Sequence, residues 1–196
     1  MKIIYPTTPE MVPPLLPGGS GIFLKKSGNS DAGNEVRNGV SSKASELREP
    51  LQIILADDDP DDRELFEEAI IESKLKVDVK CVHDGLELIS LLKSKLNPLP
   101  HLIFLDLNMP NKNGKECLEE IRKNEKLRNI PVIIYSTSSS PKDIEETYSK
   151  GANLYVAKPS SFSNLSSIIK QLLTMDWNRM KPHGLKSAFV FQPSRK

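Results

Sequence analysis

The sequence predicts an α/β domain built around a mostly parallel sheet, and three observations predict it. Five short apolar runs alternate with five amphipathic stretches between residues 51 and 175. One of these runs, 102–105, is apolar without interruption, as a strand buried on both faces requires. The stretch also has the length at which one hydrophobic core normally closes, about 100–150 residues.

The elements follow in order. Residues 52–56 read as a strand, and Asp59-Pro60-Asp61-Asp62 opens a helix with Asp at the N-cap, Pro in the first turn and acids at the positive end of the dipole. Leu65, Phe66, Ala69 and Ile70 supply its buried stripe. Val77, Val79 and Cys81 alternate as a second strand, and Leu88, Leu91 and Leu92 mark the helix after it. The third strand is followed by a helix carrying Cys117, Leu118 and Ile121. Residues 131–135 form a fourth strand, Pro141 starts a charged helix and Gly151 stops it. The fifth strand covers 154–157, and Leu165, Ile168, Ile169 and Leu172 face the core from the last helix.

The flanks differ in composition. Residues 1–50 hold six of the ten Gly and six of the fifteen Pro and show no sustained apolar period, so they are expected to form a disordered or loosely packed arm. Residues 176–196 carry five basic side chains against one acid, whereas 51–175 carry 16 bases against 20 acids. The tail also concentrates Trp177, Met180, Phe189, Val190 and Phe191, and is expected to pack on its own domain or on a twin subunit, with 189–191 as an added edge strand.

Composition excludes several classes. A net charge of +1 argues against a generally basic, nucleic-acid-coating protein, and no run of 18 apolar residues exists to span a bilayer. The N-terminus lacks the regions of a secretory signal, so a cytoplasmic location is expected. Cys81 and Cys117 lack CxxC spacing and read as reduced, buried small hydrophobes. His83, His101 and His183 show no ligand spacing and are expected at the surface or an edge.

The chemistry is expected beyond the carboxyl ends of the strands, where an open parallel sheet binds its ligands. Asp57-Asp58 follows the first strand, Asp106 the third, Ser136-Thr137 the fourth and Lys158-Pro159 the fifth. If the first and third strands are neighbours, three carboxylates converge, and like charges repel unless a cation compensates them. Mg²⁺, a hard ion that prefers oxygens, suits that cluster. A hydroxyl and an ammonium across the site then suit an incoming phosphoryl group, so the residues read as phosphoryl transfer to a carboxylate.

Four motifs in this order, ILADDD at 54–59, FLDLNMP at 104–110 with Gly114, VIIYST at 132–137 and GANLYVAKP at 151–159, resemble the CheY-like receiver domain of two-component response regulators. The resemblance covers 51–175 and implies a flavodoxin-like, doubly wound sheet of order 2-1-3-4-5. It further implies that Asp106 accepts a phosphoryl group from a sensor histidine kinase or a histidine phosphotransfer protein. Asp58 and Asp106 would ligate Mg²⁺ through their side chains, Asn108 through its backbone carbonyl, and Asp57 through a water. Lys158 would pair with the phosphoryl oxygens, Ser136 would hydrogen-bond them, and Tyr155 would swing inward as Ser136 moves. The resemblance implies a bacterial phosphoprotein that is not an enzyme. Its output here would be a surface for an unknown protein target, because no DNA-binding domain fits into the tail. Asn113-Gly114 stands where many members have Asp-Gly, a change expected to be neutral because the glycine supplies backbone freedom. Asp59, Asp61 and Asp62 are expected to serve the helix start.

Two other classes account for fewer of these residues. A haloacid-dehalogenase-like phosphatase would use Asp57-Asp58-Asp59 as its opening motif, yet Lys158 is followed by no acid before Asp176. A pseudo-receiver binding scaffold predicts erosion of at least one site position, and none is eroded.

Overall fold

The computed structural model describes residues 49–94, 98–177, 180 and 184–193. The N-terminal arm, apart from Glu49 and Pro50, and His183 therefore lie outside the described residues. Five strands, β1 (Leu51–Ala56), β2 (Val77–Val82), β3 (Leu102–Leu105), β4 (Val132–Ser136) and β5 (Leu154–Ala157), alternate with five helices. The helices are α1 (Pro60–Ser73), α2 (Gly85–Lys93), α3 (Gly114–Lys123), α4 (Pro141–Ser149) and α5 (Phe162–Leu173). The sheet is parallel throughout in the order β2-β1-β3-β4-β5, the order implied by the receiver resemblance. None of the described helices is long and apolar enough to cross a membrane.

Local chemistry starts and stops the helices. Asp59 accepts the Asp61 amide at 2.9 Å to cap α1, and Asp84 accepts the Glu87 amide at 2.7 Å to cap α2. Asn113 and Glu116 form a reciprocal capping box at α3 that the sequence reading did not identify. Gly151 follows α4 with φ 88°, the left-handed region that ends a helix at least cost in a residue without Cβ.

Two apolar layers flank the sheet. On one face, α1 and α5 bury Phe66, Ala69, Ile169 and Leu172 against Ile53, Leu55 and Phe104. Phe66 meets Phe104 edge-to-face at 4.8 Å, and burying a side chain of that size stabilises by about 1.5–3 kcal/mol. On the other face, α2 and α3 bury Leu88, Leu118 and Ile121 against Ile54, Ile103 and Ile134. Leu65 does not join this core: it is 41% exposed, because Phe66, Ala69, Ile70 and Ser73 define the buried arc of α1 and Leu65 lies one position off it. Cys117 is buried, but Cys81, on the edge strand β2, is only half-buried. His83 is exposed, and His101 Nδ1 accepts the Gln52 amide at 3.0 Å.

Beyond α5, Trp177 is 8% exposed and its Nε1 donates to Leu172 O at 2.8 Å. Farther along, the chain runs parallel to β5 on its free edge, with Val190 bridged to Tyr155. Phe189 is buried at 3% exposure.

Candidate functional site

Sheet register builds the site. Ala56 pairs with Leu105, so the next residues, Asp57 and Asp106, leave adjacent strands side by side, and Asp106 N donates to Ala56 O at 2.9 Å. Across β4, Ser136 pairs with Ala157, which sets Lys158 beside it, and Lys158 N donates to Ser136 O at 2.9 Å. Four residues distant in sequence thus meet because parallel strands all end on the same edge.

The carboxylates of Asp57, Asp58 and Asp106 each place an oxygen within 4.8 Å of the other two, with Asp57 and Asp106 buried and Asp58 exposed. Asp106 has one oxygen fixed and one presented: Oδ1 accepts the Leu107 amide at 2.6 Å, and Oδ2 lies 3.4 Å from Lys158 Nζ. The Lys158 side chain is only 6% exposed, with its ammonium 2.7 Å from both Asp57 Oδ2 and Asp62 Oδ2. The Lys158 ammonium is the close polar partner of the buried Asp57 Oδ2.

Burial pushes the Asp57 carboxyl up to about 6, Lys158 opposes that rise, and Asp106 adds to it. Burial alone would lower the Lys158 ammonium, but its contacts with Asp57 and Asp62 and the charge of Asp106 hold it above its ordinary value. The cluster therefore carries more negative charge than one lysine offsets. An all-oxygen donor set of three clustered carboxylates fits a hard divalent cation.

The other expected residues lie around this centre. Ser136 is fully buried, and its Oγ accepts the Ser138 amide at 3.4 Å. Asn108 is exposed in the turn two residues after Asp106. Tyr155 is already inside, 1% exposed, with its hydroxyl donating to Ser138 O at 2.7 Å. Gly114 has a different reason from the one expected: the left-handed backbone in this loop falls on Asn111, at φ 61°. A Cβ on Gly114 would stand 2.1 Å from Asp106 O, so close approach is what excludes a side chain there.

Asp62 was assigned to the helix start, yet it is a direct partner of Lys158 across 96 positions. The available signal was its position one helical turn after the cap Asp59, which brings it back toward the strand ends. Arg63 Nη1 also donates to Asp57 O at 2.7 Å, and the Tyr135 ring lies 5.5 Å from the Lys158 ammonium. Neither contact was anticipated.

Known proteins carry the same pattern. The response regulator receiver domain family matches residues 53–170. Response regulator Rcp1 of Synechocystis sp. is 31% identical over 65% of this chain and 89% of its own. The probable methanogenesis regulatory protein FilR2 of Methanothrix harundinacea is 31% identical over 71% of this chain and 93% of its own. Among solved structures, the phosphorylated cyanobacterial phytochrome response regulator RcpA shares 35% identity at a TM-score of 0.59, covering 63% of this chain and 91% of that one. The Mn²⁺-bound form of Rcp1 shares 29% at 0.60, covering 68% and 99%. Over the stretch where the sheet order and the paired strand ends were found, the sequence match holds as well, and the chain belongs to the response regulator receiver domains of two-component systems.

Proposed function

We propose that Asp106 is the phospho-acceptor of this receiver, taking its phosphoryl group from a phosphohistidine of a sensor kinase or a histidine phosphotransfer protein. The observation that carries this reading is the presentation of Asp106 Oδ2 toward the buried Lys158 ammonium while Oδ1 is held by the Leu107 amide. In the transfer, the donor N–P bond breaks as the Asp106 carboxylate forms an O–P bond, and the imidazole leaves neutral after taking a proton from solvent. Lys158 offsets charge on the phosphoryl oxygens and Ser136 Oγ donates to one of them. Asp58 and Asp106 would hold Mg²⁺ through their side chains, with the Asn108 carbonyl and a water on Asp57 completing the set. When bound, the ion neutralises charge on the transferring group.

In this reading the domain is no enzyme: each chain accepts one phosphoryl group, in the cytoplasm, and signals through the surface of α4, β5 and α5 to a protein target. The test is intact mass after acetyl phosphate or phosphoramidate with Mg²⁺. One phosphoryl adduct is expected in the wild type and none in Asp106→Asn; an adduct retained in the variant refutes Asp106 as acceptor. Hydrolysis of a chromogenic phosphate ester with turnover would refute the non-enzymatic part.

A further inference from the structure

The tail segment 184–193 docks against β5 and α4, with Tyr155 taking both of its strand-like hydrogen bonds. Tyr155 N donates to Phe189 O at 2.8 Å and Phe191 N donates to Tyr155 O at 2.8 Å, bracketing that residue with strand-like bonds. The Phe189 ring packs edge-on to Tyr155 at 6.2 Å and to Tyr148 at 5.1 Å. Two further contacts tie the segment to α4: Tyr148 OH donates to Gly184 O at 3.0 Å, and Lys186 pairs with Glu145 at 2.5 Å. A two-bond pairing is too small to stand alone, and burial of Phe189 supplies the apolar part of the docking. Ordering the segment opposes these contacts with conformational entropy, so a change at Tyr155, which carries both strand-like hydrogen bonds and the Phe189 contact, shifts the docking.

Tyr155 also faces the phosphoryl site. Its hydroxyl donates to Ser138 O, and the Ser138 amide in turn donates to Ser136 Oγ. One side chain therefore touches the tail at one end and the loop after β4 at the other. Drawing Ser136 toward phosphoryl oxygens would open space behind it that the inward Tyr155 ring fills, and the Phe189 ring packs against that buried Tyr155.

We propose that residues 184–193 form a latch coupled through Tyr155 to the phosphoryl state of Asp106, the docked latch and the phosphorylated site stabilising each other because both require Tyr155 inward. This inference rests on the reading of Asp106 as acceptor and Ser136 as phosphoryl ligand. Coupling of this kind is reciprocal, so the factor by which phosphorylation tightens the latch equals the factor by which the latch tightens the phosphorylated state.

The test uses beryllofluoride with Mg²⁺ as a phosphoryl mimic on the full chain. Exchange of the Tyr155 and Phe191 amides should slow by about tenfold on adding the mimic, within the usual range of allosteric coupling. Phe189→Ala should weaken beryllofluoride affinity, read by fluorine NMR, by the same factor. Phe191→Pro removes one latch hydrogen bond at a residue that is not fully buried and should act in the same direction, which keeps the test valid should Phe189→Ala fold poorly. Unchanged or faster amide exchange, or equal affinity in wild type and variants, overturns the latch and leaves the acceptor reading standing. Absence of both mimic binding and a phosphoryl adduct in the wild type overturns the acceptor reading and the latch with it.

Discussion

Gly114→Ala is the smallest change that should disable the site without touching a charged group. A Cβ there would stand 2.1 Å from Asp106 O and 2.9 Å from both Asp106 C and Leu107 Cα. All three are backbone atoms, so no side chain can rotate away, and the loop after β3 must shift by more than an ångström to reach ordinary contact distance. Overpacking of this kind costs about 1–3 kcal/mol, and the upper end applies because β3 is fully buried and cannot yield. At roughly 4 °C per kcal/mol for a domain of this size, thermal unfolding should fall by about 12 °C. Two of the three displaced atoms belong to Asp106 itself, so phosphorylation should slow far more than the residual folded fraction explains. Gly85→Ala provides the control: its Cβ would meet Lys112 O at 2.1 Å and Cys117 Sγ at 2.5 Å, away from the carboxylates. It should destabilise comparably while the remaining folded protein reacts at a near-normal rate. Calorimetry paired with single-turnover phosphorylation decides the matter. Unchanged melting in Gly114→Ala, or equal loss of rate in both variants, would refute the steric argument.

Three further outcomes are expected. Mg²⁺ should raise the melting temperature by offsetting the repulsion among Asp57, Asp58 and Asp106, and Asp58→Ala should remove most of that rise; equal shifts in wild type and variant would exclude Asp58 as a ligand. Arg122 donates to the carbonyls of Gly151, Arg128 and Ile130 and to Asn153 Oδ1, so Arg122→Met should cost about 3 kcal/mol in urea unfolding by leaving several acceptors unpaired, and a loss below half of that would contradict its role as a tie between α3 and the β5 entry. Burial pushes the thiols of Cys81 and Cys117 up to about 12, with a Glu67 contact adding to the first, so both stay protonated at pH 8; native protein should react slowly with iodoacetamide, the buried Cys117 slowest, and denatured protein should react faster, whereas fast native labelling of Cys117 would contradict its burial.

The alternation of strands and helices, the caps at Asp59 and Gly151, and the site residues at the strand ends were all legible in the sequence, because each depends on neighbours within one or two turns or on a motif read in order. Neighbouring β1 and β3 were only a condition until the receiver resemblance supplied the sheet order, since hydrophobic pattern says which segments are strands and not which pair. Tertiary structure decided the rest. It placed Asp62 against Lys158, gathered three carbonyls and Asn153 around Arg122, and laid Phe189 over Tyr155. It also moved the reason for Gly114 from backbone freedom to contact with Asp106 O, and left Leu65 in solvent. The common physical reason is that these features join atoms far apart along the chain, and their meeting is set by strand register and helix rotation, which depend on the packing of the whole domain and not on any local stretch of residues.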